Sequence, residues 1–294
     1  MSALPEPAGT IYDIGYRHYD GPRLGRRGAT GAIVGAGLRA IFGMGRSARS
    51  KIIPWGAVVL ALMPAIVALA IKVLAGDLIE LYDYDSYLWS IGGLLPIFVA
   101  AQAPELVVND TRHHVLPLYF SRPIRRTDYV VAKLTALSIG LLALTLLPLL
   151  VLFVGRILAA EDVLGAIGDE ADALPMIFGS GLLHAVTLAS LGLGICCLAG
   201  RRAYAAGAVL AVFLVGSVAS QIFADIGANF GDIAPFLNPL SILDGTRQWL
   251  FGGPIAESPV STSSAPLYLY GLATIALLVI SWGILAIRYR RITA

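Results

Sequence analysis

The chain has 294 residues, 57% of them hydrophobic and only 14% charged, with a formal net charge of +2; ordinary soluble domains run at roughly 45–50% apolar and about 25% charged. Together with a mean hydropathy of +0.78, this composition excludes a disordered chain and speaks against a soluble one. The cysteines, adjacent at Cys196 and Cys197, exclude a disulfide framework and a zinc ribbon.

Residues 1–28 contain no apolar signal-peptide core, so no cleavage is expected. The segment 11–22 sets Tyr12, Tyr16 and Tyr19 among charges, which suits a membrane surface or a partner. Ile33, Val34, Leu38, Ile41 and Phe42 then recur at near-helical spacing between Arg39, Arg46 and Arg49. That pattern predicts an amphipathic helix over 28–46, lying in the membrane interface, although its glycines weaken the helix.

A hydrocarbon core of about 30 Å needs about 20 mostly apolar helical residues. Six stretches meet this requirement, at about 54–74, 87–108, 129–154, 174–199, 204–224 and 267–287. They are long continuous apolar runs rather than short alternating segments, which predicts helices and not barrel strands. The expected organisation is an N-terminal cytoplasmic segment over 1–52 and a six-span domain over 53–294. Pro64, Pro96, Pro104 and Pro148 are expected to kink three of the spans.

The loop between spans two and three, 109–128, is dense in signal. An apolar patch of Val115, Leu116, Leu118, Tyr119 and Phe120 precedes Ser121, Arg122, Pro123, Arg125 and Arg126. Exposed apolar residues with a charged rim suggest a docking surface, and Thr127-Asp128 offers a cap for the next helix. A basic loop that only fixes topology would not need the apolar patch. Just outside the loop, Glu105 and Lys133 lie near the inner ends of consecutive spans and are placed to pair.

The remaining polar signals are sparser. His184 lies nearer mid-membrane and is a candidate cavity residue, the alternative being a bond to a neighbouring helix. Gly179-Ser180-Gly181 with His184 hints at a serine hydrolase. Phe178 and Leu182 break the nucleophile-elbow pattern, so close helix packing along Gly181, Ala185 and Ala189 is the better reading. Asp83 and Asp85 resemble an Asp-x-Asp metal site, and His113-His114 a weak metal pair. Between spans five and six, residues 241–251 predict a short helix that dips into the membrane edge and covers an outer opening, with Trp249 and Phe251 suited to the interface.

The two best-defined catalytic motifs do not occur. Lys51, Lys72 and Lys133 follow Ser50, Ile71 and Ala132, so no Gly-Lys of a Walker A loop exists, and no His-Glu-x-x-His occurs.

Charge distribution sets the orientation. Eighteen of the 21 lysines and arginines fall in the two termini, the 109–133 region and the turn at Arg201-Arg202. Thirteen of the 19 acids fall in the three opposite loops. The positive-inside rule then places both termini in the cytoplasm.

The stretch 116–133, with its apolar run, Ser121-Arg122-Pro123-Ile124-Arg125-Arg126 and a following apolar helix containing Lys133, resembles the coupling region of type-2 ABC exporter permeases. Glu105 and residues 109–112 resemble that family's polar lead-in, and Asn238-Pro239-Leu240 its outer Asn/Ser-Pro-Leu element. The resemblance, over nearly the whole chain, implies an all-α membrane permease subunit in a plasma membrane, of bacterial type. It implies an elbow helix at 28–46 and a coupling helix at 115–120. It further implies two ABC ATPase subunits that bind the ATP and magnesium, a second permease chain, and contact with lipids but not nucleic acid. No cofactor is expected in this chain. The apolar spans suggest an amphipathic, drug-like or lipid-like substrate. Two other readings fit the same residues: a membrane scaffold or sensor subunit, and an enzyme acting on a lipid intermediate through Asp83 and Asp85.

Overall fold

The computed structural model describes residues 21, 25–75, 83–113, 115–121, 124–160, 162–226, 230–252 and 258–290. The tyrosine-bearing stretch 11–19, His114, Arg122, Pro123 and the side chain of Asp85 lie outside the described residues.

The described residues form α-helices and no strand: α1 (Gly25–Ile41), α2 (Ala48–Ala75), α3 (Tyr84–Ser90), α4 (Leu94–Arg112), α5 (Leu116–Phe120), α6 (Arg126–Ala159), α7 (Val163–Ala171), α8 (Leu174–Cys196), α9 (Arg202–Ile226), α10 (Pro239–Phe251) and α11 (Tyr268–Arg290). Five of them, α2, α6, α8, α9 and α11, are long and apolar enough to cross a membrane. They correspond to predicted spans one, three, four, five and six.

The second predicted span is broken. Residues 84–90 form α3, a turn follows through Ile91, Gly92 and Gly93, and α4 starts at Leu94. A Cβ on Gly92 would sit 2.9 Å from the Trp89 carbonyl oxygen, so the adjacent glycines permit the turn. Pro96 falls in the first turn of α4, where its missing N–H costs nothing, rather than kinking a span. Pro104 and Pro148 do sit inside helices, in α4 and α6.

α4 is the centre of the bundle, touching α1, α2, α6, α8 and α9. Its 19 residues rise about 28 Å. Gln102, Glu105 and most of its apolar side chains are buried. A helix wrapped by protein need not be apolar all round, which is why α4 carries charge that its lipid-facing neighbours avoid. The helices α6 and α8 are half or more buried, whereas α2, α9 and α11 are less than one-third buried. The large apolar side chains exposed on α2, from Ile52 to Leu74, therefore suit lipid.

Lipid tails give no hydrophobic drive for helix association, so close van der Waals contact must hold the bundle. A methyl on Gly192 of α8 would overlap Val99 of α4, and one on Gly155 of α6 would overlap Leu69 of α2. The stripe Gly181, Ala185 and Ala189 is buried, with Gly181 against Thr145 and Leu146 of α6.

α1 forms close to the predicted place. Its apolar face is turned to the protein: Ile33, Gly37 and Ile41 are buried, and a Cβ on Gly37 would come 2.7 Å from that of Ala136 on α6. Gly43, at φ +63°, turns the chain from α1 into α2, where a Cβ would meet Ser50 at 2.8 Å. The expected division between residues 52 and 53 falls within α2.

Candidate functional site

The ends of the helices that carry the arginines gather at one end of the bundle, called the basic end here. Arg46, Glu105 and Arg202 meet there, as do Asp110 and Lys133, and Arg288 Nε donates to the Cys197 carbonyl at 3.1 Å. The short helix α5 lies on this end. Val115 begins it and Pro117 sits in its first turn, where no backbone donor is lost.

Only part of the predicted patch faces outward. Leu116 is 3% exposed, while Leu118 is 69% exposed. Val115, Tyr119 and Phe120 are half-buried, and Ser121 and Arg125 are exposed. Tyr119 and Phe120 turn inward onto the buried Tyr129 of α6, with ring centroids 5.7 and 6.3 Å away. Tyr289 of α11 packs on the same ring at 5.4 Å. Such tilted and edge-on aromatic pairs contribute about 0.5–1.5 kcal/mol each beyond their burial. An aromatic cluster thus holds α5 to α6 and α11, leaving Leu118 as the projecting apolar side chain.

Arg126 closes the cluster. Its guanidinium lies 5.8 Å from the Phe120 centroid and donates to the Arg290 carbonyl at 2.9 Å. Asp128 accepts from the Arg125 N–H at 3.0 Å, which caps α6, and takes a bidentate pair from Arg26 of α1 at 2.6 Å. The cap predicted at Thr127-Asp128 is displaced: α6 already begins at Arg126 with Arg125 as its N-cap, and Asp128, inside the first turn, reaches back to the Arg125 N–H and ties α1 to it.

The expected Glu105–Lys133 pair does not form. Glu105 pairs with Arg46, between α1 and α2, and its other oxygen lies 2.8 Å from Arg202 at the start of α9, off the alignment of a hydrogen bond. Lys133 Nζ lies 2.8 Å from Asp110 Oδ2, which also accepts from the Tyr129 hydroxyl at 2.8 Å. The reason is azimuth. Residues five apart on a helix point about 140° away from each other, so Asp110 faces α6 while Glu105 faces the α1–α2 turn and α9. Asp110 falls in the predicted loop, where no pairing is expected of it; α4 instead continues to Arg112 and carries it.

His184 is buried on α8 and its Nδ1 lies 2.8 Å from the Ser180 carbonyl oxygen, so it bonds its own helix rather than a neighbour. Ser180 Oγ donates to the Ile177 carbonyl at 3.3 Å, so no serine–histidine pair exists there.

Toward the other end, α10 forms where a short helix is predicted. The Asn238 side chain accepts from the Leu240 N–H at 3.1 Å and caps it. Ser241 through Arg247 are buried in the bundle. Arg247, 0% exposed, donates to Asp244 at 3.0 Å, and Ser258 donates to the second Asp244 oxygen at 3.2 Å. The sequence counts these two charges, i and i+3 on one helix, as outer-loop charges and not as a buried pair; that spacing in an otherwise apolar segment is the signal that marks the pairing.

Asp83 is engaged by Arg156 at 3.1 Å, and among the described residues no cluster of three metal-binding side chains occurs. Beside it the Tyr84 hydroxyl donates to Glu170 at 2.6 Å, and Arg156 lies 4.7 Å from the Tyr84 ring.

Fold and site together define a polytopic, all-helical membrane protein. The family model described as ABC-2 family transporter protein matches residues 29–289. The chain belongs to that family and is a membrane-embedded permease of the ABC transporter class. A search of the curated proteins found no match.

Proposed function

We propose that this chain is the permease subunit of an ATP-driven type-2 ABC exporter, crossing a bacterial plasma membrane six times with both termini in the cytoplasm. The sixth crossing is α3 with α4, whose buried polar groups are shielded by the other helices. Residues 1–52 form the cytoplasmic entry, with α1 as the elbow helix, and 53–294 the spanning domain. Two such chains, identical or related, pair with two soluble ATPase subunits that bind ATP and magnesium and carry the hydrolysis. The substrate is amphipathic and drug-like or lipid-like.

The observation that supports coupling through α5 is the contrast within it. Tyr119 and Phe120 fix the helix to α6, while Leu118 is 69% exposed beside Ser121 and Arg125. An apolar residue projecting from a rigidly held helix with a basic rim suits a groove on a partner. Closure of the ATPases would then push on α5, and the aromatic cluster would pass that displacement to α6 and α11.

The test is to purify the tagged chain from native membranes in mild detergent, with Leu118→Asp and Leu118→Ala alongside. Wild type is expected to carry a Walker A protein near one-to-one. Leu118→Asp should lose it, because a charge enters an apolar contact, while thermal unfolding stays within the wild-type range. Retention of partner and ATPase activity in Leu118→Asp would overturn the coupling role. Absence of any nucleotide-binding protein from the wild type would favour a scaffold subunit.

A further inference from the structure

We propose that the cleft between α6 and α11 at the basic end is a binding site for an anionic phospholipid. The cleft encloses about 110 Å³. Arg126 and Arg290 stand at its mouth, and Val130, Trp282, Ala286 and Tyr289 form its wall. The inference needs only that α6 and α11 cross the bilayer.

The arrangement follows the polarity of a lipid along the membrane normal. Trp282 lies eight residues before Arg290, about 12 Å deeper, and Val130 four residues after Arg126, about 6 Å deeper. Cationic groups therefore sit at the helix ends and an apolar wall runs inward from them. A phosphate fits the first and an acyl chain the second. Neither arginine pairs with a carboxylate among the described residues. Asp128, the acid nearest in sequence, is taken by Arg26. Of the five N–H donors of Arg126, one goes to the Arg290 carbonyl, so the guanidinium is held in place with donors to spare. Basic pockets between membrane helices are where anionic headgroups bind.

The site also touches the coupling cluster. Arg126 lies over Phe120, and Tyr289 stacks on Tyr129. A phosphate on Arg126 would hold its guanidinium against Phe120, and so bears on how firmly α5 is seated.

Trp282, 39% exposed, is a built-in reporter. With Trp55, Trp89 and Trp249 replaced by phenylalanine, the protein is reconstituted in phosphatidylcholine vesicles. Increasing fractions of dibrominated phosphatidylglycerol or dibrominated phosphatidylcholine are then added, and quenching of Trp282 is read. Two arginines near the surface favour the anionic lipid by about thirtyfold, so phosphatidylglycerol should half-quench at a correspondingly lower fraction. The Arg126→Gln, Arg290→Gln double variant should quench equally with both lipids, and Arg126→Lys, Arg290→Lys should keep the preference. Equal quenching by both lipids in the parent protein overturns the site, and that result is read without any arginine variant. Displacement of phosphatidylglycerol by millimolar inorganic phosphate would assign the cleft to a soluble anion and also overturn it.

Discussion

The re-pairing at the basic end is open to a direct energetic test. Lys133 and Asp110 approach to 2.8 Å, with side chains 8% and 16% exposed. At an effective dielectric of about 20, the gross attraction of two unit charges at this distance is about 6 kcal/mol. Desolvation of both groups offsets much of that, and the Tyr129 hydroxyl, which also bonds Asp110, remains after Lys133 is removed. A coupling energy of about 1.5–3 kcal/mol is therefore expected between Asp110→Asn and Lys133→Met. Glu105→Gln and Lys133→Met should couple by less than about 0.5 kcal/mol, because Glu105 has its own partners in Arg46 and Arg202. Reversible unfolding in mixed micelles gives the four corners of each cycle. A large Glu105–Lys133 coupling with a negligible Asp110–Lys133 coupling would refute the azimuth argument and, with it, the orientation of α4.

Two further outcomes follow from contacts elsewhere in the bundle. Gly192→Ala should cost about 1–3 kcal/mol, since the methyl overlaps Val99 and α4 must move from α8; a melting temperature equal to wild type would contradict that closeness. Arg247→Met leaves Asp244 buried without its cation and should cost about 3–5 kcal/mol, much of it recovered in Asp244→Leu, Arg247→Met; unfolding of both variants checks this.

What the sequence discloses depends on whether a signal is one-dimensional. Five long apolar helices fall where continuous hydrophobic runs predict them, because the bilayer fixes their length. The break in the second predicted span has a local signal too, the adjacent Gly92 and Gly93, but hydropathy averages over it. Azimuth is harder. Nothing in spacing alone says that Glu105 faces α9 while Asp110 faces α6, nor that Tyr119 and Phe120 turn in while Leu118 turns out; these depend on which neighbours surround each helix. The same holds for α10, whose Asp244 and Arg247 read as outer-loop charges until the bundle encloses them.

The 34 residues of α6 make it about 51 Å long, well beyond the apolar thickness of a bilayer. One end holds Tyr129 and Arg126, against α5 and α11; the other holds Arg156, against Asp83, Tyr84 and Glu170. In the proposed transport cycle such a rod would work as a lever. A tilt of about 5° about its basic end carries the far end through about 4 Å, enough to break the contact of Arg156 with Asp83. Pro148 sits about three turns from that far end and removes one backbone bond there. Motion of the proposed coupling end would then be delivered as rotation of the shaft below the proline, and the backbone bond missing at Pro148 would let the turns beyond it answer with a bend of their own.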